Sequence, residues 1–250
     1  MAERKKILEL KDISKSFGAV KALKKVDFEL YENEVLALLG DNGAGKSTLI
    51  KIISGVYSYD EGDMEVYGKK VRFKNPQEAR QMGIETIYQD LALFDNLDLM
   101  ANVFAGREIS GKGLPRWLGL ADRKEMHRRS KAVLDQLEIN IEDYRKDVKN
   151  FSGGQRQSIA IAKAVYWGHK IIIMDEPTAA LGVRETESLF KLINDLRNRN
   201  VTLIVIMHNL DQVLRIAERA IILRRGKRVG HVDICEVGPS CQEEIVKMLM

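Results

Sequence analysis

The sequence predicts an α/β fold with a mainly parallel sheet as its core, an N-terminal antiparallel β subdomain and an inserted helical subdomain. Ile7–Ile13 and Leu23–Leu30 alternate apolar and polar side chains, as half-buried antiparallel strands do. Val35–Leu39 is apolar throughout, which is typical of a parallel strand that is buried on both faces. Residues 90–164 show helical spacing instead, and strands and helices alternate again after them.

The remaining elements follow from the same patterns, with caps and prolines marking the helix starts. Between Val35–Leu39 and the helical part we expect a helix at Ser47–Ser54, strands at Met64–Tyr67 and Lys70–Phe73, a helix at Pro76–Gln81 and a strand at Ile84–Tyr88. The helical part predicts helices at Leu97–Gly106, Asp122–Leu137 and Ser152–Ala164, and a loop at Gly111–Leu120. The last part predicts strands at Lys170–Met174, Val201–Met207 and Ala220–Arg224, helices at Arg184–Arg199 and Asp211–Ala217, and finally a strand and a helix within Arg228–Met250.

The composition excludes several classes of protein. A chain of 250 residues with 45% apolar residues can bury a sizeable core, which excludes wholesale disorder. No apolar run approaches the roughly 18 residues that a membrane-spanning helix needs, and the charged start does not resemble a secretory signal. We therefore expect a cytosolic protein, unless a partner holds it at a membrane.

The charge and the cysteines add two further expectations. With 40 basic and 36 acidic residues, the chain is too evenly charged to indicate a nucleic-acid partner. Cys235 and Cys241 are most simply explained as a reduced cytosolic pair, rather than as a disulfide or metal ligands.

A phosphate-binding loop follows the apolar strand. Gly40, Asp41, Asn42, Gly43, Ala44, Gly45, Lys46 and Ser47 fit the pattern G-x-x-x-x-G-K-[ST], and Thr48 continues the predicted site. The glycines allow backbone N–H groups to surround an anion at the start of the next helix. Lys46 supplies a charge to the β- and γ-phosphates, and the Ser47 hydroxyl can ligate Mg²⁺. The alternative is a glycine-rich turn with an exposed lysine.

Two carboxylates and a histidine follow other apolar strands. Asp175 and Glu176 end one strand, and His208 ends the next. At the carboxyl edge of a parallel sheet they would face the phosphate loop, where Asp175 can hold Mg²⁺ and Glu176 can polarise a water. Alone, such residues would be read as a solvated strand end and a structural histidine.

A third motif decides between these alternatives. Phe151-Ser152-Gly153-Gly154-Gln155 precedes a helix, and Ser152 lies 175 − 152 = 23 residues before Asp175. By itself this is a serine-capped helix with a glycine-rich start. Together with the phosphate loop, Gln89, Asp175-Glu176 and His208, in this order, it resembles the signature of the ATP-binding-cassette (ABC) ATPases. The resemblance covers essentially the whole chain, 1–250, as one ATPase domain of the P-loop NTPase fold. It implies a core at about 1–89 and 165–250 and a helical subdomain at about 90–164.

The resemblance also implies cofactors, further site residues and an assembly. ATP and Mg²⁺ would be bound between two identical chains, with Ser152, Gly153, Gly154 and Gln155 of one chain facing the phosphates held by the other. Glu176 and His208 would be the catalytic residues, and Ser47, Gln89 and Asp175 would hold the metal. Phe17 is similar to the aromatic residue that stacks on adenine; the alternative is a core phenylalanine.

Pro177–Leu181 and Asn102–Glu108 resemble the branch that energises monosaccharide import, and the single cassette resembles its fructose-import type. That resemblance implies transmembrane permease subunits as partners, an indirect link to a periplasmic or extracellular sugar-binding protein, and a peripheral position at the cytoplasmic face of the inner membrane. Gly182 stands where the family commonly has aspartate, Phe151 where leucine is usual, and Met207 where a hydroxyl residue is frequent. The alternatives are the ATPase of a non-sugar transporter and a soluble ABC protein without a transport role.

Overall fold

The structure is a computed structural model that describes residues 4–111, 121–141, 143–234 and 241–249. The chain divides into two compact units. The first comprises Met1–Thr86, His169–Thr178 and Ile193–Met250, and the second comprises Ile87–Gly168 and Ala179–Leu192. Residues 179–192, which the sequence analysis assigned to the core, therefore belong to the second unit, where Glu185 bonds to the start of a helix at Gly154.

The strands within the described residues form two sheets. In chain order they are β1 (Lys6–Phe17), β2 (Val20–Tyr31), β3 (Val35–Leu39), β4 (Glu61–Val66), β5 (Lys69–Lys70), β6 (Ile84–Ile87), β7 (Ile171–Asp175), β8 (Thr202–Ile206), β9 (Arg219–Arg224) and β10 (Lys227–Asp233). A four-stranded sheet has the order β2-β1-β4-β5, and a six-stranded sheet has the order β10-β9-β3-β8-β7-β6. In the first sheet β1 pairs antiparallel with β2, as predicted, and it also pairs antiparallel with β4.

The helices of the described residues follow the predicted order. They are α1 (Lys46–Ile53), α2 (Pro76–Gln81), α3 (Leu99–Phe104), α4 (Arg123–Gln136), α5 (Gly153–Tyr166), α6 (Val183–Asn198), α7 (Leu210–Ile216) and α8 (Cys241–Leu249). Asp122 and Ser152 cap α4 and α5, as predicted. No helix in the described ranges is both long enough and apolar enough to cross a membrane.

Two predicted elements are shorter than expected. The strand predicted at Lys70–Phe73 stops after Lys70, because the chain leaves the sheet there and buries Phe73 in the core. The helix predicted from Leu97 begins at Leu99, because the Asp98 side chain accepts a hydrogen bond from the Ala101 N–H and caps it. The loop predicted at Gly111–Leu120 lies outside the described residues except for Gly111, and so does Cys235.

The six-stranded sheet brings the ends of three strands to one edge. β3 pairs in parallel with β8 and with β9, and β7 pairs in parallel with β8. β3 and β8 are buried along their whole length, and each buried Val, Leu or Ile side chain contributes about 1.5–3 kcal/mol to holding this arrangement. The residues that follow β3, β7 and β8 therefore share the carboxyl edge of the sheet.

Candidate functional site

The phosphate loop lies between β3 and α1, as the sequence predicts. Gly45 is the N-cap of α1 with a φ of 107°, so the first N–H groups of the helix have no side-chain acceptor from the cap. A Cβ on Gly45 would lie 2.8 Å from Leu23 Cδ2 and 2.9 Å from the Ala22 oxygen. Only glycine allows this backbone path, which leaves the positive end of the helix open to an anion.

Lys46 lies across this loop. Its Nζ donates to the Gly40 oxygen at 2.6 Å and to the Asp41 oxygen at 3.1 Å. The residue is 7% exposed, and burial lowers the pKa of its ammonium group while the charges of Glu176 and Asp175 oppose that effect. The ammonium group is thus held, partly dehydrated, at the place where the motif predicts phosphate.

Asp175 and Glu176 end β7 at the same edge. Burial, followed by the charge of Glu176, raises the pKa of Asp175, and Lys46 partly offsets this. Glu176 has a φ of 49°, and its N–H donates to the Ile206 oxygen of β8 at 3.0 Å. His208 Nε2 lies 2.7 Å from Glu176 Oε1. The structure therefore brings together these two carboxylates and His208, as the sequence predicts.

These residues share one cleft of about 630 Å³ in the first unit. Of the predicted site residues, it is lined by Asn42, Gly43, Ala44, Gly45, Lys46, Ser47, Thr48, Asp175, Glu176 and His208. Three exposed basic residues, Lys21, Lys24 and Arg225, line it as well. The motifs did not point to them, although the basic stretch at 21–25 was a visible signal.

The oxygen ligands in the cleft suit a magnesium ion that binds together with a nucleotide. Ser47 and Asp175 offer hydroxyl and carboxylate oxygens, the ligand type that Mg²⁺ prefers. In the part of the chain that the structure describes, no cluster of three His, Cys, Asp or Glu side chains forms a metal site by itself. Mg²⁺ in nucleotide sites is usually held by one or two carboxylates together with substrate phosphates.

Phe17 ends β1, and 44% of its surface is exposed. Its ring lies edge-to-face with Tyr57, with centroids 5.2 Å apart, and Lys15 Nζ lies 5.5 Å from its centroid. The alternative that Phe17 is a core residue is therefore wrong. Its stacking on adenine stays a prediction, as does the role of Gln89, which belongs to the second unit.

The signature motif begins α5 in the second unit. The Ser152 hydroxyl accepts from the Gln155 N–H at 3.3 Å, and Gln155 Oε1 accepts from the Ser152 N–H at 3.0 Å, which together form a capping box. Gly153 and Gly154 occupy the first turn. Because these glycines have no side chain to cover them, the sequence predicts that the N–H groups at this helix start are free for an anion.

The structure corrects that expectation, because a carboxylate of the same unit already lies there. Glu185 Oε1 accepts from the Gly154 N–H at 3.4 Å, and Glu185 Oε2 accepts from the Gly182 N–H at 3.1 Å. Sequence reasoning missed Glu185. The signal was the spacing Gly182-x-x-Glu185 at the start of α6, which is the acidic half of a capping box.

The sequence pattern of the family described as ABC transporter matches residues 23–179 of this chain. The chain belongs to this family. Its α/β fold and its function as an ATP hydrolase are those that the motifs predicted. The chain, called the cassette below, therefore hydrolyses ATP.

Two curated relatives match nearly the whole cassette. It is 49% identical over 225 residues to the xylose/arabinose import ATP-binding protein of Sulfolobus acidocaldarius, covering 90% of this chain and 87% of that protein. It is 44% identical over 235 residues to the fructose import ATP-binding protein of Rhizobium meliloti, covering 93% and 88%.

Solved structures of cassettes have the same fold. A nucleotide-free ATP-binding cassette from an ABC transporter matches with a TM-score of 0.83 at 26% identity, over 97% of this chain and 95% of that one. A dimeric cassette in a post-hydrolysis state bound to ADP and Pi matches with a TM-score of 0.75 at 25% identity, over 91% and 99%.

Proposed function

We propose that the cassette is the ATP-hydrolysing subunit of a monosaccharide importer. One observation carries this proposal: the cassette is 49% identical to a xylose/arabinose import subunit over nearly the full length of both chains. The fructose import relative supports the same substrate class. The cassette would work as a peripheral subunit at the cytoplasmic face of the membrane, beside transmembrane permease subunits that receive sugar from a separate binding protein.

The cleft supports a hydrolytic mechanism in which each residue has a distinct task. Lys46 and the N–H groups at the start of α1 bind the β- and γ-phosphates. Ser47 and Asp175 would hold Mg²⁺, which when bound neutralises charge on the phosphate oxygens. The metal role of Gln89 stays a prediction. Glu176 accepts a proton from the attacking water, and His208, hydrogen-bonded to Glu176, keeps that carboxylate in position.

The complete site would require two cassettes. The signature residues Ser152–Gln155 lie in the second unit and Lys46 in the first. In the proposed dimer, the signature of one chain binds the phosphates held by the other, and Phe17 stacks on the adenine. The similarity to a dimeric cassette bound to ADP and Pi supports this arrangement.

Sugar uptake in the source organism tests the proposal. We expect deletion of the gene to abolish uptake of one labelled monosaccharide among xylose, arabinose, ribose and fructose. The wild-type gene and an exposed-surface control, Glu187→Gln, should restore uptake, whereas Glu176→Gln should not. Loss of uptake of an amino acid or lipid, with all sugars unaffected, would favour a non-sugar transporter. Recovery of the tagged cassette with no permease would favour a soluble ABC protein.

A further inference from the structure

Two backbone N–H groups converge on the carboxylate of Glu185. The Gly154 N–H donates to Oε1 at 3.4 Å, and the Gly182 N–H donates to Oε2 at 3.1 Å. The Gly182 N–H, followed by the Ser152 side chain and the Gly154 N–H, lowers the pKa of Glu185, so the group that occupies the start of α5 is an anion.

Gly154 has a single backbone N–H, and the Glu185 carboxylate already accepts its hydrogen bond. While this contact persists, that N–H cannot donate to a phosphate. Glu185 therefore occupies one of the donors that the signature would offer to a nucleotide, and it places a negative charge beside the Ser152 side chain.

Gly154 has no side chain, and this allows Glu185 to approach the backbone closely. A Cβ added to Gly154 would lie 3.0 Å from Glu185 Cγ and 3.1 Å from Glu185 Cβ. Such a distance is shorter than ordinary van der Waals contact, so a side chain at position 154 would require Glu185 to shift by a few tenths of an ångström. The close approach therefore depends on a residue of α5 and on a residue in the first turn of α6.

We propose that Glu185 is a positioning residue that holds the start of α5 and must release the Gly154 N–H before the partner's nucleotide phosphate can bind there. The inference rests on the proposed two-chain site. A carboxylate and a phosphate cannot share the same donor, because both are negative acceptors. Each dimerisation event therefore includes the loss of this contact, and Glu185 raises the ATP concentration at which two cassettes associate.

The test measures ATP-dependent dimerisation of the full chain by light scattering, in a Glu176→Gln background that retains the bound nucleotide. Adding Glu185→Gln preserves the shape of the side chain but removes its charge. We expect the ATP concentration for half-maximal dimerisation to fall by about three- to tenfold, the size expected when a charge-assisted hydrogen bond stops competing. Glu187→Gln, an exposed charge on the same helix, should leave that concentration unchanged.

A purely structural role gives the opposite result. If Glu185 only stabilises the start of α6, Glu185→Gln lowers the melting temperature and leaves the ATP requirement unchanged or higher, which overturns the inference. Should this variant not fold, Glu185→Asp retains the charge on a shorter side chain. It should also lower the ATP requirement, and an unchanged value would again overturn the inference.

The parent protein separates the two proposals. If the Glu176→Gln cassette stays monomeric in ATP, the two-chain site itself fails. If this parent dimerises and the Glu185→Gln variant needs the same ATP concentration, the site stands and only the role of Glu185 fails.

Discussion

His208 Nε2 lies 2.7 Å from Glu176 Oε1, although the two residues follow different strands. The contact arises because β7 and β8 are parallel neighbours whose carboxyl ends meet. Glu176 also has a left-handed backbone with a φ of 49°, a conformation that costs a non-glycine residue about 1–3 kcal/mol. The fold therefore fixes the backbone of Glu176 and, through His208, its carboxylate, as a positioned general base requires.

Glu176→Gln should slow ATP hydrolysis by about 10²–10⁴-fold, the usual range for the loss of a positioned base. ATP affinity should stay near normal, because the amide keeps the size of the side chain and Lys46 is unchanged. Phosphate release measured at saturating ATP checks the rate, and titration with fluorescent ATP checks the affinity. Turnover near the wild-type rate would exclude Glu176 as the base.

Lys46→Ala should weaken ATP binding by about 10–100-fold, because it removes a charged donor to the β- and γ-phosphates. The melting temperature without nucleotide should not fall, since the buried ammonium group is partly dehydrated. Lys51→Ala, at the C-terminal end of the same helix, is the matched control and should bind ATP as the wild type does. Equal affinity in all three proteins would place the nucleotide elsewhere.

Phe17→Ala should weaken ATP binding by about 1–3 kcal/mol if the ring stacks on adenine. Binding of inorganic triphosphate, which has no base, should not change. Because 44% of the surface of Phe17 is exposed, the substitution should have little effect on the melting temperature. Calorimetric titration with both ligands decides the matter, and an equal loss for ATP and triphosphate would contradict stacking.

Asp175→Asn should raise the melting temperature of the nucleotide-free cassette at neutral pH. Burial and Glu176 raise the pKa of Asp175 above its ordinary value of 3.8, so the folded state binds this proton more tightly than the unfolded state does. The free energy of unfolding then falls as the pH rises from 3.8 through the folded-state pKa of Asp175, and the full loss of stability is present above that pKa.

The advantage of Asp175→Asn should therefore shrink as the pH is lowered toward 3.8. Melting curves of both proteins across this pH range test the trend, while ATP hydrolysis should be impaired throughout. A variant that is less stable than the wild type at neutral pH would show that Asp175 stabilises the fold.

The sequence predicts the first unit better than it predicts the contacts at the signature. β3 is wholly apolar, and a glycine-rich loop and α1 follow it, so local pattern alone specifies the phosphate loop. Asp175 and His208 are predictable neighbours, because the carboxyl ends of parallel strands lie at the same edge of a sheet. No comparable rule predicts where a loop lies relative to a helix that is distant in the sequence. The contact between Glu185 and Gly154 joins residues that are 31 positions apart, and it becomes visible only in the structure.

The shared site is tested most directly by mixing two defective cassettes. A Lys46→Ala chain lacks the phosphate ligand, and a Ser152→Ala chain lacks the signature hydroxyl, so neither homodimer has an intact site. A heterodimer of the two has one site with both defects and one site with none. Light scattering in ATP, at a concentration at which the wild type dimerises, should therefore show dimers in the mixture and monomers in each variant alone. A mixture that stays monomeric under those conditions would contradict a site built from two chains.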